Sequence, residues 1–260
     1  MHGPMGAALQ PAGPALEADR LHRVLETAAL CACATLGIWL AWRLGVAGLS
    51  PGAFAWAAVG CVLGLLAADL VSGLVHWWAD RVASVETPWL GARVVRPFRE
   101  HHADPGAIVS HGFVETNGNS CLAALPLLAA TVAWLPEDPR GMVLLAGSAL
   151  WALAVFACLT NQVHKWAHAP SPPRAVRALQ RAGLLLAPDR HAQHHMPPFD
   201  RRYCITTGWL GPALDACRLL PWLEGFSDGV RRPLESGGGQ PPEGACHASG
   251  HRSDRRAAAP

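Results

Sequence analysis

The sequence predicts an all-α membrane protein, with about four transmembrane helices in two hairpins beneath a cytoplasmic, histidine-rich helical cap. Three observations lead there. The 260 residues are 51% hydrophobic and only 15% charged, with a mean hydropathy of +0.18, which is more apolar than an ordinary soluble domain. Four apolar stretches approach the length of a membrane span, and they are joined in pairs by tight polar turns. Nine of the thirteen histidines fall between His76 and His195, and they cluster at the ends of those stretches.

Taken in chain order, residues 1–20 and 227–260 are rich in Gly, Pro, Ala and charge without periodicity, so they read as disordered ends flanking one domain at 21–226. The spans are expected at Ala28 to Leu49, Ala53 to about His76, Cys121 to Leu135 and Met142 to about Val163, each set against a need for about 20 residues. The third is short and contains Pro126. Ser50-Pro51-Gly52 turns the first pair, and the run from Pro136 to Gly141 turns the second. Arg20 and Arg23 precede the first span; Arg81, Arg93, Arg96 and Arg99 follow the second; Lys165, Arg174, Arg177 and Arg181 follow the fourth. The turns hold only Arg140, with Arg43 near the end of the first span, so both termini and the long 81–120 segment are expected on the cytoplasmic side. An inner bacterial or endoplasmic-reticulum type of membrane suits this layout. After the fourth span, Arg174, Arg177 and Arg181 form one stripe and Val176, Leu179, Gly183 and Leu186 another, as in a helix lying in the interface.

Composition also excludes classes. A net charge of +2 gives no field for nucleic acid. The eight cysteines form no CxxC pair and several lie inside apolar runs, so they read as buried thiols and suggest neither a zinc ribbon nor a disulfide framework. The first basic residue is Arg20, which is unlike a signal peptide, so the spans are expected to direct their own insertion.

The histidines carry the chemistry. His76 and Asp80 are four apart in VHWWAD; His101 and His102 are adjacent, with His111 following; His164 and His168 are four apart in NQVHKWAH; His191, His194 and His195 come from HAQHH. Spacings of three and four put imidazoles on one helical face, the way a single helix supplies two metal ligands. Adjacent histidines diverge on a helix, so one of each HH pair is expected to serve either a different metal or a supporting role behind the ligands. Nine imidazoles plus acids exceed what one zinc ion takes and point to two metals, with iron, copper, nickel and zinc all compatible. At a lipid face, with no carbonyl calling for hydrolysis, a redox metal acting with oxygen on C–H bonds is the expected chemistry.

The stretches GLVHWWAD, RPFREHHADP, FVETNGN, NQVHKWAH, HAQHH and YCITTGWL occur in that order, and with them the chain resembles the plasmanylethanolamine desaturase family, the Kua- or CarF-type histidine-box membrane lipid desaturases. The resemblance covers roughly residues 65–215, and Gly211 departs from it where Asn is expected. It implies a di-iron centre held by His76, His101, His102, His111, His164, His168, His191, His194 and His195, with Asp80 in the HxxxD position of the first box. It further implies O2 as oxidant, external electrons from a separate donor of the cytochrome b5 or ferredoxin type, and desaturation of the O-alkyl chain of a plasmanyl phospholipid next to its ether oxygen.

Around that set, Asp69 and Asp80 are candidates to ligate metal or to orient a ligand histidine, the second role being favoured for Asp69. Asn117 and Asn161 are candidates for weak metal contact or backbone capping. Arg201 and Arg202 stand as phosphate contacts or as interfacial anchors. The competing readings are a desaturase or hydroxylase of acyl lipids, sterols or carotenoids, and a non-catalytic membrane component of a light or singlet-oxygen response.

Overall fold

The computed structural model describes residues 13–50 and 52–225, with side chains from Asp19 onward. Most of the expected disordered end at 1–20, and all of that at 227–260, lie outside the described residues. Within the described part of the first stretch, α1 already begins at Gly13.

Four long helices build the body: α1 (Gly13–Gly48), α2 (Ala53–Trp77), α4 (Phe113–Trp134) and α5 (Gly141–His168), with the short α3 (Arg96–Ala103) set in the segment between α2 and α4. The first runs well N-terminal of its apolar stretch. There Glu26 pairs with Arg23 at 3.0 Å and with His22 at 3.4 Å, contacts available only at helical i+3 and i+4 spacing. Gly52, at φ +78°, makes the left-handed turn into α2 that a residue with a Cβ adopts only with strain. Gly112 opens α4, its N–H donating to Glu115 at 3.3 Å, and Pro126 sits inside that helix without ending it.

Among the described residues, three helical segments are long and apolar enough to cross a membrane: Asp19–Gly48, Ala53–Val82 and Gly141–His168. The expected third span is instead the later part of α4, whose first turns carry Glu115, Asn117, Asn119 and Ser120 and dilute its apolarity. Ile38, Trp42, Leu49, Phe54 and Val62 are all more than half exposed on the bundle's outside, while Leu40, Leu128 and Leu144 are fully buried within. An apolar exterior of this extent suits lipid rather than water.

Of the two hairpins expected from the turns, α4 and α5 pack along each other, whereas α1 and α2 touch little. The largest interface joins α2 to α5, and the next joins α1 to α4, so the two hairpins interleave. Small residues explain the choice. Gly60 and Gly64 stand one turn apart on α2, where a Cβ would land on the Leu145 and Ala149 carbonyls of α5. Close backbone approach through such a small-xxx-small stripe is how helices associate in lipid.

A cap closes one end of the bundle. A π-helical turn at Trp78–Val82 prolongs α2, a second at Gly91–Val95 leads into α3 (Arg96–Ala103), and α6 (Arg174–Arg181), α7 (Pro188–Ala192) and α8 (Gly211–Ala216) follow α5. No strand occurs among the described residues. The cap has its own small core of Val163, Ala167, Val176, Leu185, Leu186 and Ile205, so the apolar stripe of α6 is committed to protein at Val176, although Leu179 stays 41% exposed. Replacing Gly64 by Val should wedge α2 from α5 and cost about 1–3 kcal/mol, read as a lowered thermal midpoint in detergent.

Candidate metal centre

Two facts of helix geometry assemble the site. Histidines four apart share a face, and the ends of α2 and α5 reach the cap together with α3 and α7. Five imidazoles, His101, His164, His168, His191 and His195, bring ligand atoms within 4.8 Å of one another; His76, Asp80, His102 and His194 form a second such group. Each adjacent pair divides between the two groups: His101 and His102 on α3, where neighbouring residues point about 100° apart, and His194 and His195 in the turn that follows α7. The groups adjoin, with ring centroids of His102 and His195 5.2 Å apart and those of His76 and His164 5.9 Å apart.

In the first group the Nε2 atoms converge. His164 and His191 approach to 2.8 Å, His191 and His195 to 3.0 Å, and His164 and His168 to 3.3 Å. Hydrogen bonding alone satisfies such a set poorly, because each Nε2 has one proton or one lone pair and the middle two face two partners each. A metal ion with bonds of about 2.0–2.1 Å places neighbouring ligand nitrogens about 2.9–3.4 Å apart, which is the spacing found.

In the second group Asp80 Oδ2 lies 2.9 Å from His102 Nε2, 3.3 Å from His76 Nε2 and 3.5 Å from His194 Nε2. The tautomers of two rings are set from behind. His76 Nδ1–H donates to the Tyr203 carbonyl at 3.1 Å, and His194 Nδ1–H donates to the Arg201 carbonyl at 2.7 Å. Each Nε2 is thereby left as a lone pair aimed into the cluster, and both are buried without a hydrogen-bond partner, as are His101 Nε2 and Asp80 Oδ1. Orphaned buried acceptors of this kind fit a cation.

Electrostatics agree. Burial, reinforced by the neighbouring imidazoles, pushes His101 and His195 down to about 3, and burial holds His191 well below its ordinary value. All three are neutral at physiological pH, the form that donates a lone pair to a metal.

The other expected residues divide. His111 belongs to neither group; its carbonyl accepts from Lys165 Nζ. Asp69, expected to orient a histidine, instead anchors backbone, its buried carboxylate accepting the N–H groups of Thr207, Gly208 and Leu210 at 2.7, 2.9 and 3.1 Å. Asn117 donates to Phe113 O and to Gln162, and Asn161 donates to Ser120, so their amide N–H groups brace α4 against α5. Arg202 is paired with Asp215 at 3.3 Å, while Arg201 is exposed and serves the site through its carbonyl.

Sequence reasoning singled out YCITTGWL, Arg201 and Arg202 but missed that residues 201–210 form a strap behind the histidines. Besides its bonds to Asp69, it donates from Ile205 N to Ser72 Oγ at 3.1 Å, pairs Thr206 with Thr160, and lies against Gly73, where a Cβ would come within 2.7 Å of Cys204 Sγ. Its contribution to the site is made by backbone carbonyls, which have no side-chain signature. The signal that was present is Asp69 itself, an acid within an apolar span on the His76 face.

Two outcomes are expected. Asp69→Asn loses charged acceptors for three N–H groups and should cost about 2–3 kcal/mol by thermal unfolding, with a parallel fall in bound metal by elemental analysis. For metal-free protein, the depressed values of His101 and His195 mean that the unfolded chain binds more protons between about pH 6.5 and 3. Stability should therefore be fully present above pH 6.5 and be lost as pH falls toward 3, measured as the unfolding midpoint against pH.

The lipid desaturase domain family matches residues 65–230. A protein named plasmanylethanolamine desaturase from Myxococcus xanthus is 45% identical over 203 residues, covering 78% of this chain and 70% of that one. Plasmanylethanolamine desaturase 1 of Mus musculus is 41% identical over 66% of this chain and 65% of its own, and the chloroplastic fatty acid desaturase 4-like 1 of Arabidopsis thaliana is 31% identical over 67% and 58%. The chain thus spans between 58% and 70% of the length of these relatives. No solved structure matches it. The matched stretch holds both ligand groups and the strap behind them, and the chain belongs to the lipid desaturase family.

Proposed function

We propose that the protein is a plasmanylethanolamine desaturase that introduces the vinyl-ether double bond into the O-alkyl chain of plasmanyl phospholipids, using O2 and two iron ions. The observation that carries this reading is the convergence of eight histidines and Asp80 into two adjoining groups at the end of an apolar bundle, in a chain 45% and 41% identical to proteins of that name. One ligand set is His101, His164, His168, His191 and His195; the other is His76, Asp80, His102 and His194. His111 is assigned no ligand role.

Bound iron supplies the one-electron and oxygen chemistry that side chains lack. In the overall change, one O2, two electrons and two protons become two waters as a CH2–CH2 unit loses two hydrogens. The chain's own contribution is positional and electrostatic. Asp80 brings negative charge to the second group. The Tyr203 and Arg201 carbonyls hold His76 and His194 in the tautomer that exposes Nε2. Phe98 packs on His76 at 4.9 Å and Phe199 on His102 at 4.8 Å, apolar walls that keep water from the reacting carbon. Arg201, exposed at the start of the strap, is the candidate contact for the headgroup phosphate. The site faces the cytoplasm by the excess of Lys and Arg at that end of the spans, and the two electrons come from a separate donor protein.

A second reading, desaturation of an acyl chain, is favoured by the 31% identity to the plant relative named as a fatty acid desaturase. Lipid analysis separates the two. Expressed in cells that contain 1-O-alkyl phospholipids, the protein should yield acid-labile vinyl ethers and carry two irons per chain, whereas His191→Ala and His164→Ala should make no product while still inserting into membranes. Unchanged plasmalogen together with new acyl unsaturation would reject the first reading for the second.

A further inference from the structure

A third cluster of ligating atoms lies away from the histidines. Cys33, Cys121 and Cys158 come from three different helices, α1, α4 and α5, and their sulfurs lie within 4.8 Å of one another. All three are free thiols, buried at 5%, 4% and 7% exposure. Cys33 Sγ–H donates to the Cys121 carbonyl at 3.3 Å, and no carboxylate or imidazole belongs to the group. The surrounding core is apolar and includes Ala29, Ala124, Ala154 and Leu128. Alanine already fills narrow crossings in this core, so three sulfurs meeting at one point exceed what packing asks for.

The geometry suits a metal. Three sulfurs around one ion at about 2.3 Å stand about 4.0 Å apart when trigonal, so edges of at most 4.8 Å need less than about 1 Å of movement to close. Thiolate sulfur selects soft ions. Zinc takes four ligands, and neither a fourth protein donor in the group nor bulk water in an apolar bundle is at hand to complete its shell. A soft d10 monovalent ion, content with three sulfurs, matches both the number and the kind of donor. We propose that Cys33, Cys121 and Cys158 form a buried site for such an ion, copper(I) being the physiological candidate. Cys158 precedes His164 by six residues, about 9 Å along α5, so the sulfur site sits below the histidine groups and is chemically distinct from them. The thiolate is the ligating form of cysteine, so binding of the ion displaces thiol protons.

The test uses the full-length protein in detergent, kept anaerobic and reduced, and titrated with copper(I) buffered by a copper(I) chelator strong enough to outcompete imidazole. One copper per chain should be retained, with near-ultraviolet sulfur-to-copper charge-transfer absorption and an X-ray absorption shell of three sulfurs at about 2.3 Å. Cys121→Ser should weaken retention at least about tenfold and remove the band, whereas Cys31→Ser, at an exposed position on α1, should change neither. Failure of the wild-type protein to retain copper, a shell made only of nitrogen or oxygen, or equal retention by Cys121→Ser would overturn the proposal. The wild-type spectrum decides the question even if Cys121→Ser does not fold.

Discussion

One buried carboxylate holds the cap to the bundle. Asp69 is fully buried on α2, and its two oxygens accept three backbone N–H groups from the strap at 207–210. An unpaired carboxylate at that depth would be prohibitive, and an unpaired run of three amides nearly so. Each therefore makes the other tolerable, and the pairing fixes where the strap lies. Two turns further along α2, His76 meets the same strap through the Tyr203 carbonyl, and His194 meets it through the Arg201 carbonyl. The register of a polar anchor inside the helix bundle thus becomes the orientation of two rings in the site.

The site depends on the same economy of buried polarity. Eight imidazoles packed ring to ring have too few hydrogen-bond partners, and several of their nitrogens face only one another. Such a cluster is poor as a folding core and well suited to binding cations, because bound metal converts mutually frustrated lone pairs into ligands. The adjacent pairs His101/His102, on α3, and His194/His195, in the turn after α7, are each split between the two groups, so two short segments contribute to both.

The bundle beneath is organised by size rather than polarity. Gly60 and Gly64 allow α2 to seat on α5, which brings His76 and His164 to a centroid separation of 5.9 Å. At the meeting of α1, α4 and α5, small side chains again line the crossing, and three of them are cysteines. Close approach that serves packing in one place thereby gathers donor atoms in another.

The sequence by itself determined the helical class, the long apolar stretches, and the end of the bundle at which the histidines gather. These are local properties: apolar run length, helical period and residue type are read without knowing any partner. The expected third span blurred because the polar first turns of α4 shorten its apolar run, and a sequence window cannot weigh polar groups that are satisfied by neighbours. What only the tertiary structure decided is which elements meet. The pairing of α2 with α5, the division of eight histidines between two groups, the place of His111 outside both and the anchoring contacts of Asp69 all depend on contacts between residues as much as 141 positions apart. So does the meeting of Cys33, Cys121 and Cys158. The partners in these contacts are backbone amides, carbonyls and close-packed small residues, whose chemistry is the same everywhere along the chain until folding brings them together.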